Sequence, residues 1–196
     1  MIPDMQKALA ISALLLAAGT VLAQEEIEIA DTATVRIETT LGDIVVELNA
    51  ARAPWTVQNF LQYVVDDFYD GTIFHRVSAS FLVQGGGFLP DLTRKPAERE
   101  VANESGNGLS NRRGTIAMAR SADPHGATSE FYFNIVDNVS LDPRPSRWGY
   151  AVFGEVVEGL EVVDQIGSVA TSSGGEFERD VPVEPIIIER IELLRE

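Results

Sequence analysis

The chain has no cysteine among its 196 residues. That removes disulfide bridges, a thiol nucleophile and thiolate metal sites, and leaves the redox environment unspecified. Histidine is nearly as scarce. His75 and His125 are the only two, neither belongs to an H-E-x-x-H pattern, and two imidazoles do not complete a zinc ligand set. No metal and no other cofactor is expected. Basic residues are outnumbered, 15 Lys and Arg against 30 Asp and Glu, for a formal net charge of −15. Nucleic-acid affinity rests on cations that neutralise phosphates, so DNA, RNA and anionic membrane surfaces are excluded as first-choice partners. There is no G-x-S-x-G, hence no support for a nucleophile elbow. Gly85-Gly86-Gly87 is followed by neither Lys-Ser/Thr nor a helix signal, and reads as a sharp turn, not a phosphate cradle. With 30 acidic residues, carboxylate pairs of the glycosidase kind can be found almost anywhere and carry no weight.

A hydrophobic run long enough to span a bilayer is also missing. The stretch "ALAISALLLAAGTVLA", residues 8 to 23, falls short of the ~20 strongly apolar residues a spanning helix needs and contains Ser12, Gly19 and Thr20. It follows Lys7 and ends in Val21-Leu22-Ala23, the layout of a secretory signal with small residues at the cleavage point. Residues 1–23 are expected to be removed, residues 24–33 to form an acidic mobile leader, and residues 34–196 to fold as one domain. The mature protein is expected to be exported, with the periplasm favoured, and to be a soluble monomer without stable membrane insertion. An uncleaved anchor is the alternative.

What the sequence does have is β periodicity. "TVRIETTLGDIVVELN" alternates on both sides of Leu41-Gly42-Asp43 and predicts a hairpin with Val35, Ile37, Ile44, Val46 and Leu48 facing the core. Val57, Phe60, Leu61, Val64, Val65 and Phe68 recur at helical spacing, with Pro54 in the first turn and Gly71 beyond the end. Six further short segments rich in aromatic and β-branched residues follow: "TIFHRV", "FLVQG", "GTIAMAR", "SEFYFNIV", "YAVFGEV" and "EPIIIERIEL". A second short helix, "GLEVVDQI", lies among them. Many strands and two helices indicate a mainly antiparallel barrel or sandwich. Residues 86 to 113 form a long polar loop of the kind that is often functional. Alternation sends His75 to the opposite side of its strand from Arg76 and predicts a hydrogen-bonded core imidazole.

Several motifs carry a resemblance. "PWTVQNFLQYVVDDFYDGTIFHRV", "FLVQGGGF", "NGLSNRRGTIAMAR", "SEFYFNI" and "GYAVFGEVVEGLEVVDQI" occur in order and at the spacing of the cyclophilin family of peptidyl-prolyl cis/trans isomerases. From about Thr34 to the C-terminus the chain resembles this family, its exported bacterial members most closely. The resemblance implies a closed eight-stranded antiparallel β barrel with a helix covering each end. It implies that Arg76 is the catalytic arginine, reaching the target X-Pro peptide unit from the rim of an apolar pocket. Phe81, Leu82, Tyr132 and Leu141 match the pocket that receives the proline ring, and Gln84 matches a glutamine that helps hold the substrate backbone. Ala119 and Arg120 are expected on the strand whose main chain pairs with the peptide, and proline-containing polypeptides are the expected substrates.

Some positions depart from the family. Ser78-Ala79-Ser80 replaces the usual Ile-Pro-Gly, and Leu82 stands where methionine is common. Glu130 stands for a glutamine in the substrate groove, Tyr132 for a phenylalanine and Tyr150 for a histidine, while Ser140 stands at a rim position usually filled by tryptophan or phenylalanine. The Tyr132 hydroxyl needs a partner, and Glu130 is expected to face the groove and weaken the field of Arg76. These changes bear on rate and substrate preference. A cyclophilin-fold binding module or chaperone with little turnover is the alternative to an isomerase.

Overall fold

The computed structural model describes residues 31–194. The predicted hairpin forms β1 (Thr32–Thr39) and β2 (Gly42–Asn49), with Val35 opposite Val46 and Ile37 opposite Ile44. All five core-facing residues named from the alternation are fully buried. After helix α1 (Pro54–Val65) come β3 (Arg76–Ser78), β4 (Leu82–Gly85), β5 (Thr115–Met118), β6 (Phe131–Asn134) and β7 (Val152–Glu158). Helix α2 (Leu160–Gly167), the strands β8 (Thr171–Gly174) and β9 (Phe177–Pro182), and β10 (Ile188–Leu194) complete the described chain. Each of the eight segments predicted as a strand supplies one strand of a single antiparallel sheet ordered β10-β1-β2-β7-β5-β6-β4-β3.

The barrel expectation is met in strand number, direction and the two helices, but only partly in closure. The edges β3 and β10 share no ladder. Ile73 and Ile187, just ahead of them, form one isolated bridge, flanked by Ile188 N donating to Thr72 O at 2.7 Å. With only three residues before the turn at Ser78–Phe81, β3 is too short to pair along β10. The sheet is a curled half-barrel. The strands β8 and β9 form a separate two-stranded ribbon, which the sequence reading did not foresee.

Helix α1 buries Val57, Phe60, Leu61 and Val64, and Phe60 packs edge-on against Phe131, ring centroids 5.6 Å apart. The predicted apolar face ran on through Val65 and Phe68. Val65 is instead exposed, because it lies about 100° round the helix from Val64. The helix stops there: Asp67 takes a left-handed φ of 49°, and Phe68 folds back onto Tyr63. At the other end Ala53 has no side chain to cap the free N–H groups. Glu104, from the long loop, accepts from Trp55 N and from Thr56 N and Oγ1, so a carboxylate remote in sequence caps the helix and anchors the loop.

Candidate active site

Opposed residues in an antiparallel ladder share a face, and the register across β3, β4, β6 and β5 therefore sorts the side chains into two sets. Val77, Val83, Phe133 and Ile116 stand in one row and are buried in the main core. Arg76, Gln84, Tyr132 and Ala117 stand in the adjacent row, on the other face. A second row on that face contains Ser78, Leu82 and Asn134. One-residue alternation thus places a cation, an amide and a phenol side by side above a dry sheet.

That face carries a small apolar cluster, separate from the main core. Leu82, Ala117, Ala119, Tyr132 and Val152 are its buried floor, and Phe81, Leu141 and Tyr150 are its half-buried rim. The apolar pocket residues named from the sequence are brought together here. The Tyr132 hydroxyl has its partner: it donates to Asn111 Oδ1 at 2.7 Å. Burial pushes this hydroxyl well above the usual phenol range, so it stays a donor. Asn111 is held in turn by Asp142, which accepts from its backbone N–H at 2.8 Å and its side-chain amide at 2.9 Å. Ser80 sustains the turn before Phe81 with a left-handed φ of 59°, where the usual family glycine would be unstrained.

Beside the apolar cluster lies a polar cavity of about 360 Å³, lined among others by His75, Arg76, Gln84, Arg120 and Glu130. Ala119 belongs to both. The half-buried Arg76 donates from Nη1 to Gln84 Oε1 at 3.4 Å, and its Nε lies 3.9 Å from Asp180 Oδ2. Gln84 spends one amide N–H on Glu130 Oε2 at 2.8 Å. Glu130 has a side chain only 14% exposed and also accepts from Arg94, with His75 Nε2 3.3 Å from its Oε2. Burial alone would raise its pKa, but the hydrogen bonds from His75, Gln84 and Arg94 outweigh burial and hold it at about 2. A Cβ on Gly87 would lie 2.5 Å from Glu130 Cγ, so the third glycine of the run makes room for this carboxylate.

This geometry bears on three expectations. Glu130 faces the cavity, but its carboxylate is bound to Arg94, Gln84 and His75, with Gln84 between it and Arg76. His75 is a buried imidazole with Nε2 3.3 Å from Glu130 Oε2 but with no partner for Nδ1, and it lines the same cavity as Arg76: it precedes β3, where strand alternation does not apply. Ala119 and Arg120 lie just past β5, which ends at Met118. Ala119 N still donates to Glu130 O at 2.9 Å, and then the chain leaves the sheet. The Arg120 guanidinium sits 4.6 Å over the Tyr150 ring and donates to Trp148 O at 3.2 Å, which ties this exit to the rim of the apolar cluster. Ser140 is exposed in a 3-10 turn, Val139–Leu141.

Arg94, Asp180 and Phe177 were not singled out from the sequence. Phe177, on β9, packs on His75 and Phe88 with ring centroids 5.4 and 5.1 Å away. Its position two residues past a Gly-Gly pair in a polar stretch was the only signal available.

Comparison with known proteins identifies the family. The family profile described as "Cyclophilin type peptidyl-prolyl cis-trans isomerase/CLD" matches residues 34–193. A peptidyl-prolyl cis-trans isomerase of Streptomyces antibioticus is 51% identical over 164 residues, covering 82% of this chain and 98% of its own. Peptidyl-prolyl cis-trans isomerase B of Escherichia coli is 48% identical over 160 residues, covering 80% and 97%. Among solved structures, a cyclophilin type isomerase of Cryptosporidium parvum superposes with a TM-score of 0.71 at 28% identity, covering 84% of this chain and 99% of that one. With a family match over residues 34–193 and an apolar cluster meeting an arginine-bearing cavity along one sheet face, the chain belongs to the cyclophilin-type peptidyl-prolyl cis-trans isomerases.

Proposed function

We propose that Arg76 is the catalytic residue, and that the chain speeds X-Pro rotation in exported proteins by electrostatic stabilisation of the twisted amide. The observation that carries this reading is the seam at Arg76. A half-buried guanidinium, steadied by Gln84, stands at the end of the cross-strand row whose Tyr132 and Ala117 help floor the apolar cluster. Phe81, Leu82, Tyr132 and Leu141 offer a dry seat for a proline ring, and Ala119, Arg120 and Tyr150 frame the exit of the bound peptide. The second N–H of the Gln84 amide remains for a substrate carbonyl.

The reaction asks for little machinery. Resonance makes the amide resist rotation with a barrier of ~18–20 kcal/mol, and uncatalysed prolyl isomerisation takes about tens of seconds or more. At 90° the resonance is lost and the prolyl nitrogen gains a lone pair that accepts a hydrogen bond. A donor aimed there favours the twisted state over both planar ones, and no covalent bond is broken. Turnover of about a thousand per second requires lowering the barrier by roughly 6 kcal/mol. A permanent cation in a partly desolvated site, with proline held in an apolar seat, is of that scale.

Protease-free NMR exchange on an X-Pro peptide tests the reading. Arg76→Ala should lower kcat/KM by about 10²–10³ with Tm nearly unchanged. Native exchange rates in that variant would remove Arg76 from the mechanism. Export rests on residues 1–23, which lie outside the described residues. Intact mass of protein recovered from producing cells should begin at Gln24, and a product retaining residues 1–23 in the membrane fraction would overturn export as a soluble protein.

A further inference from the structure

We infer that Asp180 is a positioning residue for Arg76, held behind the guanidinium by the β8–β9 ribbon. This rests on the catalytic reading of Arg76. Within the ribbon, Ser172 pairs with Val181 and Gly174 with Phe177, so Ser173 alone lies opposite Glu178, Arg179 and Asp180. Such a bulge re-aims side chains, and bulges of this kind recur beside active sites. Here it has a visible result. Asp180 adopts a left-handed φ of 69° inside a strand, and its side chain is 21% exposed where that of Arg179 is 85% exposed. Its carboxylate is turned toward β3 and reaches Arg76 Nε at 3.9 Å, with Arg179 Nε also 3.9 Å away on the outer side.

The ribbon is itself anchored at its turn. Phe177 packs on His75 and Phe88, a Cβ on Gly175 would lie 3.1 Å from Leu92 Cβ, and Glu176 lies 3.9 Å from Arg94 Nη2. Asp180 is not part of the cavity wall, whereas Arg76 is. It therefore acts through the arginine. Gln84 holds Nη1 from one strand and Asp180 faces Nε from the ribbon, and these two points fix the plane of a planar fork without using Nη2. A guanidinium tethered only at Nη1 would swing about that contact, and misplacing a transition-state donor is costly in rate even when binding is unaffected. A left-handed backbone at a non-glycine residue is a retained strain, in keeping with a carboxylate needed at that spot.

Two substitutions separate this role from a role in the turn. Glycine accepts a positive φ without strain, so Asp180→Gly deletes the carboxylate while suiting the backbone. Asparagine tolerates the same φ and keeps an acceptor oxygen without the charge. By NMR exchange on an X-Pro peptide, Asp180→Gly should lower kcat about tenfold, with KM within about twofold and Tm equal or higher, and Asp180→Asn should fall between it and the native protein. In the Arg76→Ala background, Asp180→Gly should change the residual rate by less than about twofold. An unchanged kcat in Asp180→Gly would assign Asp180 to the turn alone, and a raised kcat would show that it only damps the cation; either result overturns the inference. So does an equal loss in both backgrounds. Native rates in Arg76→Ala would overturn the reading of Arg76 as well, whereas an impaired Arg76→Ala beside a native-like Asp180→Gly overturns only the role given to Asp180.

Discussion

The two faces of β3, β4, β6 and β5 differ by a single residue of register and by almost everything else. On one, Val77, Val83, Phe133 and Ile116 are nearly fully buried in a continuous core with Phe60, Phe74 and Phe153. On the other, Arg76 and Gln84 are half-buried, and Tyr132 is buried but hydrogen-bonded. Polar groups sheltered from water are costly unless partnered, and on the site side Tyr132 and Glu130 find partners in distant segments, Asn111 for the first and Arg94, Gln84 and His75 for the second, while the buried His75 Nδ1 has none. The core face supplies stability through area and packing. The site face keeps its order through specific pairs, and can be altered without collapse of the fold.

The strongest break of this comparison is on the core face. Phe133→Ala should destabilise by about 3–5 kcal/mol, measured by denaturant unfolding, because it opens a cavity under the sheet. Residual kcat/KM per folded molecule should stay near native. A loss of activity out of proportion to unfolding would mean that the two faces are mechanically coupled.

Glu130 gives an intermediate effect on the site face. Its folded pKa of about 2 lies below the ordinary 4.5, so the carboxylate contributes stability that is fully present above about pH 4.5 and is lost as the pH falls toward 2. Glu130→Gln should cost about 1.5–3 kcal/mol near neutral pH, the range for hydrogen bonds to a charged group. The gap in Tm between the two proteins should narrow as the pH drops through that window. A constant gap down to the acid limit would show that the carboxylate's charge plays no part. Because Gln84 lies between Glu130 and Arg76, the same variant should alter kcat by loosening Gln84, with little dependence on salt. A strong salt dependence would instead restore the view that Glu130 acts on Arg76 directly through its field.

The smallest effect is expected at the boundary. Tyr132→Phe removes one hydroxyl from the floor of the apolar cluster, while Asn111 Oδ1 keeps the Asn134 amide at 3.3 Å. The cost should be about 0.5–1.5 kcal/mol in stability. Binding of X-Pro peptides, followed by titration, should change little, since the ring stays in place. A large loss of binding would assign the hydroxyl to substrate contact.

The sheet was legible because the hairpin carries apolar residues at alternate positions, which named its core residues, and the other six strands are short runs rich in aromatic and β-branched residues. The ribbon was not. "TSSGGEFERDVP" has only Phe177 and Val181 as large apolar residues with a Gly-Gly break, and β8 is largely exposed, so no burial pattern is imprinted on it. At the site, the resemblance named the residues that meet in the cluster and the cavity. It did not reveal the partners of Glu130, because the family glutamine carries no charge that would have needed Arg94.

By itself the sequence determined the period-two pattern that selects the core face, the glycine run that lets Glu130 lie against the backbone, and the motif order that names Arg76, Gln84 and the apolar cluster. Only the tertiary structure decided which charges meet. The loop bearing Arg94 and the ribbon bearing Asp180 pack against each other beside Gln84 and Arg76, so each acid finds a cation that is remote along the chain. Alternation fixes the side of a strand on which a residue stands, a local consequence of backbone geometry. Charge pairing depends on a few ångströms of separation in three dimensions, and that distance exists only once the chain has folded.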